Sequence, residues 1–237
     1  MPATGHMGEF WDERAKEDAF FFVDNRLDYR NPDVERFWAN GKVDLRQLLN
    51  AAGVAIEPGS TVVDVGCGLG RLTRAAVNLG AGRVIAIDVS AEMLERAREY
   101  NAELGNVTWV QGDGTSLAGI DDGVADALIS HVVFQHIPDP QVTLGYVREM
   151  GRVLKPQAWA AFQISNDPGI HHARDESLVR RIGRVLGREP KGVKDPAWLG
   201  SAVDLDELSR TADAAGLDTE RVEGAGTQFC MVCLRKR

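Results

Sequence analysis

The chain reads as an α/β protein, a seven-stranded and mostly parallel sheet with helices on both faces, and three observations predict this. From Gly59 onward, short β-branched runs alternate with longer segments of helical period, the arrangement of βαβ units. The early runs are almost unbroken in apolar residues, as expected of strands covered on both faces. Glycines crowd the point where the first run gives way to the first helix. A length of 237 residues suits one such domain.

Taken in order, the first strand is Thr61 to Val65, apolar except for Asp64. A helix from Arg71 to Leu79 closes at Gly80, and a second strand, Val84 to Ile87, leads through Asp88 to Ser90, an N-cap for a helix through Ala102. Strands Val107 to Gln111 and Asp126 to Ser130 follow. Asp139 as N-cap and Pro140 at the first helical position open a helix to Leu154, which Lys155 and Pro156 stop. The fifth strand is Trp159 to Ser165. A last helix, capped at Asp204 with Glu207 three residues on, ends at Gly216 before strands at Leu217 to Val222 and Thr227 to Leu234.

Two parts stand outside this alternation. Residues 1–57 form a helical N-terminal cap, in which the first seven read as a cloning remnant and are set aside from the fold. Residues 58–237 form the core, with an insertion at 166–200 expected to shape part of a substrate lid, because insertions at strand ends often do.

Composition narrows the function. At 44% hydrophobic and 26% charged, with no apolar run near the roughly 18 residues that a membrane span needs, the chain reads as soluble with no membrane partner. A net charge of -8 with both signs mixed offers no face to a phosphate backbone, so nucleic acid is disfavoured. Three cysteines make no disulfide framework and suit a reducing cytoplasm. Cys230 and Cys233 are spaced CxxC, yet residues three apart on a strand face opposite ways, so no metal site is expected there.

The segment with most chemical content is Asp64-Val65-Gly66-Cys67-Gly68-Leu69-Gly70. A chain turning from a buried strand into a helix needs positions without Cβ, which also let a ligand approach the backbone. Dinucleotide folds space these glycines GxGxxG around a pyrophosphate; here the spacing is GxGxG, favouring a ligand without one. With Ile85 to Ser90 and Met93, Gln111-Gly112-Asp113, and Glu149 with Arg152 to Pro156, it resembles the class I S-adenosylmethionine (SAM)-dependent methyltransferases, over residues 58 to 236. The likeness is to the small-molecule type grouped with ubiquinone and menaquinone methyltransferases, and it implies a Rossmann-like sheet whose last strand is antiparallel.

The resemblance implies roles residue by residue. Asp88 accepts from both ribose hydroxyls, with Val89 beside it; Met93 packs on the adenine, Asp113 accepts from its amine, and Gly112 and Gly114 allow close approach. Asp64 orients the glycine loop of Gly66, Cys67, Gly68 and Gly70 and the methionyl ammonium, while loop amides and a carbonyl near His131 hold the rest of the amino-acid moiety. Arg71 is a candidate for the methionyl carboxylate. For an N-terminal segment bearing Trp11 and Phe20 to Phe22, two compatible readings stand: lying over the cofactor, with Trp11 touching it and Phe22 the substrate, or packing against the sheet edge.

Candidate proton acceptors are His131 and His136 after strand four and His171 and His172 in the insertion, all near the carboxyl ends of strands, where open α/β sheets bind ligands. His136 is taken as the catalytic candidate and, with His171, His172 and Phe22, as a substrate contact. The expected reaction is displacement at the sulfonium methyl by an O, N or C atom of a small molecule, leaving S-adenosylhomocysteine. Two alternatives stand beside it: a SAM-binding partner protein without catalysis, and a nicotinamide-dependent oxidoreductase on a similar fold. Oligomeric state is not legible.

Overall fold

The computed structural model describes residues 3–172 and 190–237. Seven strands form one sheet, β1 (Thr61–Val65), β2 (Arg83–Asp88), β3 (Val107–Gln111), β4 (Ala125–Ser130), β5 (Leu154–Ile164), β6 (Leu217–Glu223) and β7 (Cys230–Lys236), in the order β3-β2-β1-β4-β5-β7-β6. β1 to β5 pair in parallel, and β7 runs antiparallel to both β5 and β6. The strand order reverses between β1 and β4, which opens a crevice at their carboxyl ends.

Helices cover both faces as the alternation of apolar residues requires. On one face Val62 and Val84 pack under α2 (Val34–Ala52) and α3 (Arg71–Asn78), and Ala86 meets Leu94 of α4 (Ala91–Tyr100). On the other, Val63, Val65, Ile85 and Ile87 meet α5 (Pro140–Val153) and the last helix, Leu205–Ala214. Cys230 belongs to one of these cores and Cys233 to the other, so the two thiols lie on opposite faces of β7.

The expected caps do their work. Ser90 accepts from the Met93 amide at 3.0 Å, Asp139 from Gln141 at 2.9 Å, and Asp204 from Glu207 at 2.8 Å. Several boundaries differ from the sequence reading. α4 stops at Tyr100 because the Asn101 side chain turns back to donate to Ala97 O at 2.7 Å and to Leu69 O at 3.0 Å. α5 stops at Val153, and β5 begins at Leu154, paired with Ala125; the next aligned pair is Ala127 with Trp159, so 155–158 bulge out around Gln157 at φ 66°. β7 begins at Cys230 instead of Thr227, since Gly224 and Thr227 are spent on a tight turn closed by Thr227 Oγ1 donating to Gly224 O.

The N-terminal residues are helical: α1 (Ala3–Val23) precedes α2 and breaks at Asp18, whose backbone is extended and whose side chain accepts from the Phe21 amide at 3.1 Å. Residues 190–200 include the short helix α6 (Pro196–Leu199), which makes Leu205–Ala214 α7. The remainder of the predicted 166–200 insertion, 173–189, lies outside the described residues. No helix among the described residues is long and apolar enough to cross a membrane.

Candidate active site

A cavity opens at the carboxyl ends of β1, β2 and β4, where the sheet's strand order reverses. Its floor is Asp64, Gly66, Cys67 and Gly68; one side is Asp88, Val89, Met93, Gly112 and Gly114; the other is His131, Val132 and His136. Met7, Trp11, Phe22 and Val23 of α1 close it from above. Of the predicted cofactor contacts, all but Gly70 and Asp113 are brought together on this wall.

Those two are elsewhere for definite reasons. The Asp113 carboxylate is consumed locally, accepting from the Thr115 and Ser116 amides at 2.7 and 2.8 Å and from the Ser116 hydroxyl at 2.8 Å. These bonds overcome its burial and hold the group below the usual carboxylate range. Gly70, at φ 81°, is the residue before α3, and a Cβ there would strike Trp109 and Asn101; its smallness serves packing. Gly68 shows the other use, since a Cβ on it would meet Val23 where the backbone faces the cavity.

Two carboxylates face the same space. Asp88 accepts from Gly68 N at 2.8 Å and from Ser90 N at 2.9 Å, one bond to each oxygen, which leaves each oxygen a lone pair directed elsewhere. Burial raises its pKa, against the pull of those amides. Asp64 is buried in β1 and accepts from Thr73 Oγ1 at 2.6 Å; burial is the main cause that pushes its pKa up to about 6, with repulsion from Asp88 adding to it. Neighbouring acids held out of water suit a cationic ligand, and the apolar slot between Val89, Met93 and Gly112 suits a flat ring. These residues therefore fit an adenosyl sulfonium with an ammonium group. A cation would favour ionised Asp64, so its binding should weaken as pH falls below about 6, by up to tenfold per pH unit. Calorimetric SAM titrations from pH 5 to 8 check this; a flat profile would remove Asp64 from the ligand's charge partners.

A second chamber shares a wall with the first. Phe22, Val23, Arg71, His131, Val132 and His136 line both; the second adds Asp24, Arg26, Asp44, Gln135, Trp198 and Gln228. Its polar end is an ion network that the sequence reading missed. Arg71, expected near the cofactor, pairs with Asp44 and lies 3.7 Å from Asp24; Arg26 bonds Asp24 at 2.6 Å and Asp44 at 2.7 Å, and Asn40 donates to Asp24 at 2.7 Å. Burial alone would raise both acids, but the arginines and Asn40 outweigh it and hold them low. The Nε of Arg71 is buried without a partner.

The four histidines separate clearly. His171 has both nitrogens engaged, Nδ1 donating to Leu199 O at 2.6 Å and Nε2 accepting from Ser165 Oγ at 2.7 Å, and it lines neither chamber. His172 is exposed and also lines neither. Both were expected as substrate contacts, and neither lines a chamber. His136 stands between Trp11 and Trp198, with ring centroids at 5.6 and 5.3 Å. Its Nδ1 donates to Trp198 O at 2.8 Å, so Nε2 is the acceptor, and Gln135 Nε2 donates to it at 3.2 Å. Gln135 is oriented in turn by Gln163, which donates to its Oε1 at 2.7 Å. His131 has no such ties: its Nδ1 is buried without a partner, and the next residue, Val132, has φ 59°. That left-handed backbone is unfavourable for a β-branched residue and lies on the wall between the two chambers.

Other residues in the matched stretches are structural. Arg152 donates to Ile120 O and Leu117 O at 2.8 and 3.1 Å and pairs with Glu149, whose Oε2 accepts from Leu117 N, so the two clamp the loop between β3 and β4. Lys155 bonds Asp126 at 2.7 Å, and Asp126 also receives Thr61 N at the start of β1. Met7, set aside in the sequence reading, is buried on the cavity wall.

Comparison with known proteins places these features. A family model described as "Methyltransferase domain" matches residues 62–157. The ubiquinone biosynthesis O-methyltransferase of Xanthomonas campestris pv. campestris is 38% identical over 205 residues, covering 79% of this chain and 84% of that one. The protein of the same name from Methylococcus capsulatus is 33% identical over 203 residues, covering 83% and 78%. In structure the chain is similar to the geranyl diphosphate C-methyltransferase of Streptomyces coelicolor A3(2), with TM-score 0.65 and 14% identity, over 100% of this chain and 98% of that one.

Proposed function

The chain belongs to the class I SAM-dependent methyltransferases, and on that footing we propose that it methylates a hydroxyl oxygen of a small organic molecule held in the second chamber. It is an enzyme whose donor is SAM and whose acceptor is a small molecule. Family membership leaves the nicotinamide reading without support. SAM supplies a methyl already activated by the positive sulfur, so the protein's task is to hold two partners in line, within about 3 to 3.5 Å.

The observation that carries the proposal is the wall common to the two chambers, formed by Phe22, Val23, Arg71, His131, Val132 and His136. A donor in the first and an acceptor in the second meet only there. The relatives named O-methyltransferases favour oxygen as the nucleophile. Asp64, Asp88, Val89, Met93, Gly112 and Gly114 are assigned to the donor, with Trp11 and Met7 over it; Phe22 and Trp198 offer aromatic faces to the acceptor.

In this reading residues 1–57 are the cap over a core of 58–237, supported by the contribution of α1 to both chambers, and residues of 166–200 form the acceptor side through Ile170 and Trp198. The acidic balance argues against a nucleic acid acceptor, and the three free cysteines fit a reducing cytoplasm.

The test has two steps. Calorimetric titration with SAM, S-adenosylhomocysteine and NADH should show binding of the two adenosyl compounds alone. Incubation with methyl-labelled SAM and a panel of phenols, amines and carbon acids, read by mass spectrometry, should then label phenolic oxygen; label appearing only on nitrogen or carbon overturns the assignment.

A further inference from the structure

Both histidines on the shared wall could take a proton, but only one is free to do so. Each nitrogen of His136 is already committed, Nδ1 to Trp198 O and Nε2 to the Gln135 amide, and Gln135 is pinned from behind by Gln163. Accepting a proton at Nε2 would set it against the Gln135 N–H, so the bond would have to break first. His131 makes no hydrogen bond to any described residue, and its Nδ1 is buried with nothing opposite it. A buried polar atom without a partner is costly, and beside two chambers it suits a ligand that completes the bonding. Val132, next in the chain, holds a left-handed backbone on the same wall, the kind of strain that persists where a neighbouring side chain must be aimed.

Resting on the reading of a hydroxyl acceptor, we infer that His131, not His136, takes the acceptor's proton during methyl transfer. The acceptor oxygen bonds to the methyl carbon as the carbon–sulfur bond breaks and its electron pair passes to sulfur. The hydroxyl proton passes to His131 and from there to solvent. One positive charge, lost from sulfur, is regained on the imidazole, so the site's total is unchanged.

The charged groups around His131 tolerate this exchange. Asp24 and Arg26 approach from the turn after α1, Asp44 from α2 and Arg71 from α3, two of each sign. Burial, more than these charges, lowers the ring's pKa to about 4, so at neutral pH it is unprotonated. His136 is also lowered to about 4 by burial, so the hydrogen bonds, not the acidities, distinguish the two.

The test compares phenol, which must lose a proton to react, with 4-nitrophenol, which is largely ionised at pH 8. In single turnovers with SAM, His131→Gln should lose about 100-fold on phenol and less than about 5-fold on 4-nitrophenol. His136→Gln should lose similar factors on both. Equal losses in His131→Gln, or the selective loss in His136→Gln, overturn the inference; retained S-adenosylhomocysteine binding, with His131→Asn as a second variant, shows that the fold is intact. A second readout needs no turnover: the phenolate band of 4-nitrophenol bound with S-adenosylhomocysteine should have its pH midpoint higher in the wild type than in His131→Gln, because the neutral ring accepts a hydrogen bond from the phenol and none from the phenolate. Coincident midpoints overturn the role of His131 alone, whereas absence of any phenol binding overturns the hydroxyl-acceptor reading and this inference together.

Discussion

Replacing Asp88 with alanine is expected to weaken SAM binding by about 100-fold, equivalent to roughly 3 kcal/mol. Two losses add here. The carboxylate is the proposed acceptor for the ribose hydroxyls, a hydrogen-bonded charge of the kind worth about 1.5 to 3 kcal/mol. It also receives Gly68 N–H and Ser90 N–H, so it ties the glycine loop after β1 to the cap of α4. Without it, the ligand meets a loop whose backbone must be ordered anew. Asp88→Asn keeps one acceptor oxygen and should lose less, about 10-fold. Calorimetry on both variants checks the pair; SAM affinity within about threefold of wild type in Asp88→Ala would remove the residue from the donor site.

Arg71→Ala should lower stability by about 3 to 5 kcal/mol, seen as a fall in Tm on the order of 10 °C. Asp44 and Asp24 are both almost fully buried, and in the variant only Arg26, which is half exposed, would compensate them. The loss should depend on pH in a defined direction. Asp24 and Asp44 have folded-state pKa values below their ordinary 3.8, so their ion pairs contribute fully above that value and fade as pH falls through the lower folded values. Removing Arg71 takes away part of what holds them low, so the variant should lose less stability than the wild type as pH falls below about 4, and the gap between the two should narrow there. Arg71→Ala with Asp44→Asn should recover much of the loss, because the uncompensated carboxylate is gone. Additive losses in the double variant would show that the pair does not act as a unit.

What was legible in the sequence is what neighbouring residues decide. Asp64 to Gly70 can be read because strand, turn and helix start lie within a dozen residues, and Ser90, Asp139 and Asp204 cap helices whose first turns follow directly. The seven strands follow the same local periodicity, while the antiparallel last one was implied by the family resemblance. Asp113 and Gly70 lie off the cavity lining, because the motif positions them on its loops without saying which way the side chain or Cα faces. The Thr115 and Ser116 amides claim one, and Trp109 packs on the other. The ion network could not be read at all, since Asp24, Asp44 and Arg71 come from three separate elements and meet only after α2 packs on α3. Nor could the contrast between His131 and His136, which depends on Gln163 of β5 and Trp198 of α6.

Met7, Trp11, Phe22 and Val23 put the roof of the proposed donor cavity on the two segments of α1 that flank its break at Asp18. α1 is fastened by Asp12 to Ser90 and Glu92, by His6 to Asp195, and by Phe10, Ala15, Ala19 and Phe20, which are buried in the cores. The reaction consumes the sulfonium charge, and with it the attraction that drew the donor toward Asp64 and Asp88. A spent donor is therefore released from below by electrostatics and retained from above by aromatic packing. In the proposed reading, leaving the cavity means parting from apolar side chains that belong to the N-terminal segment and not to the sheet.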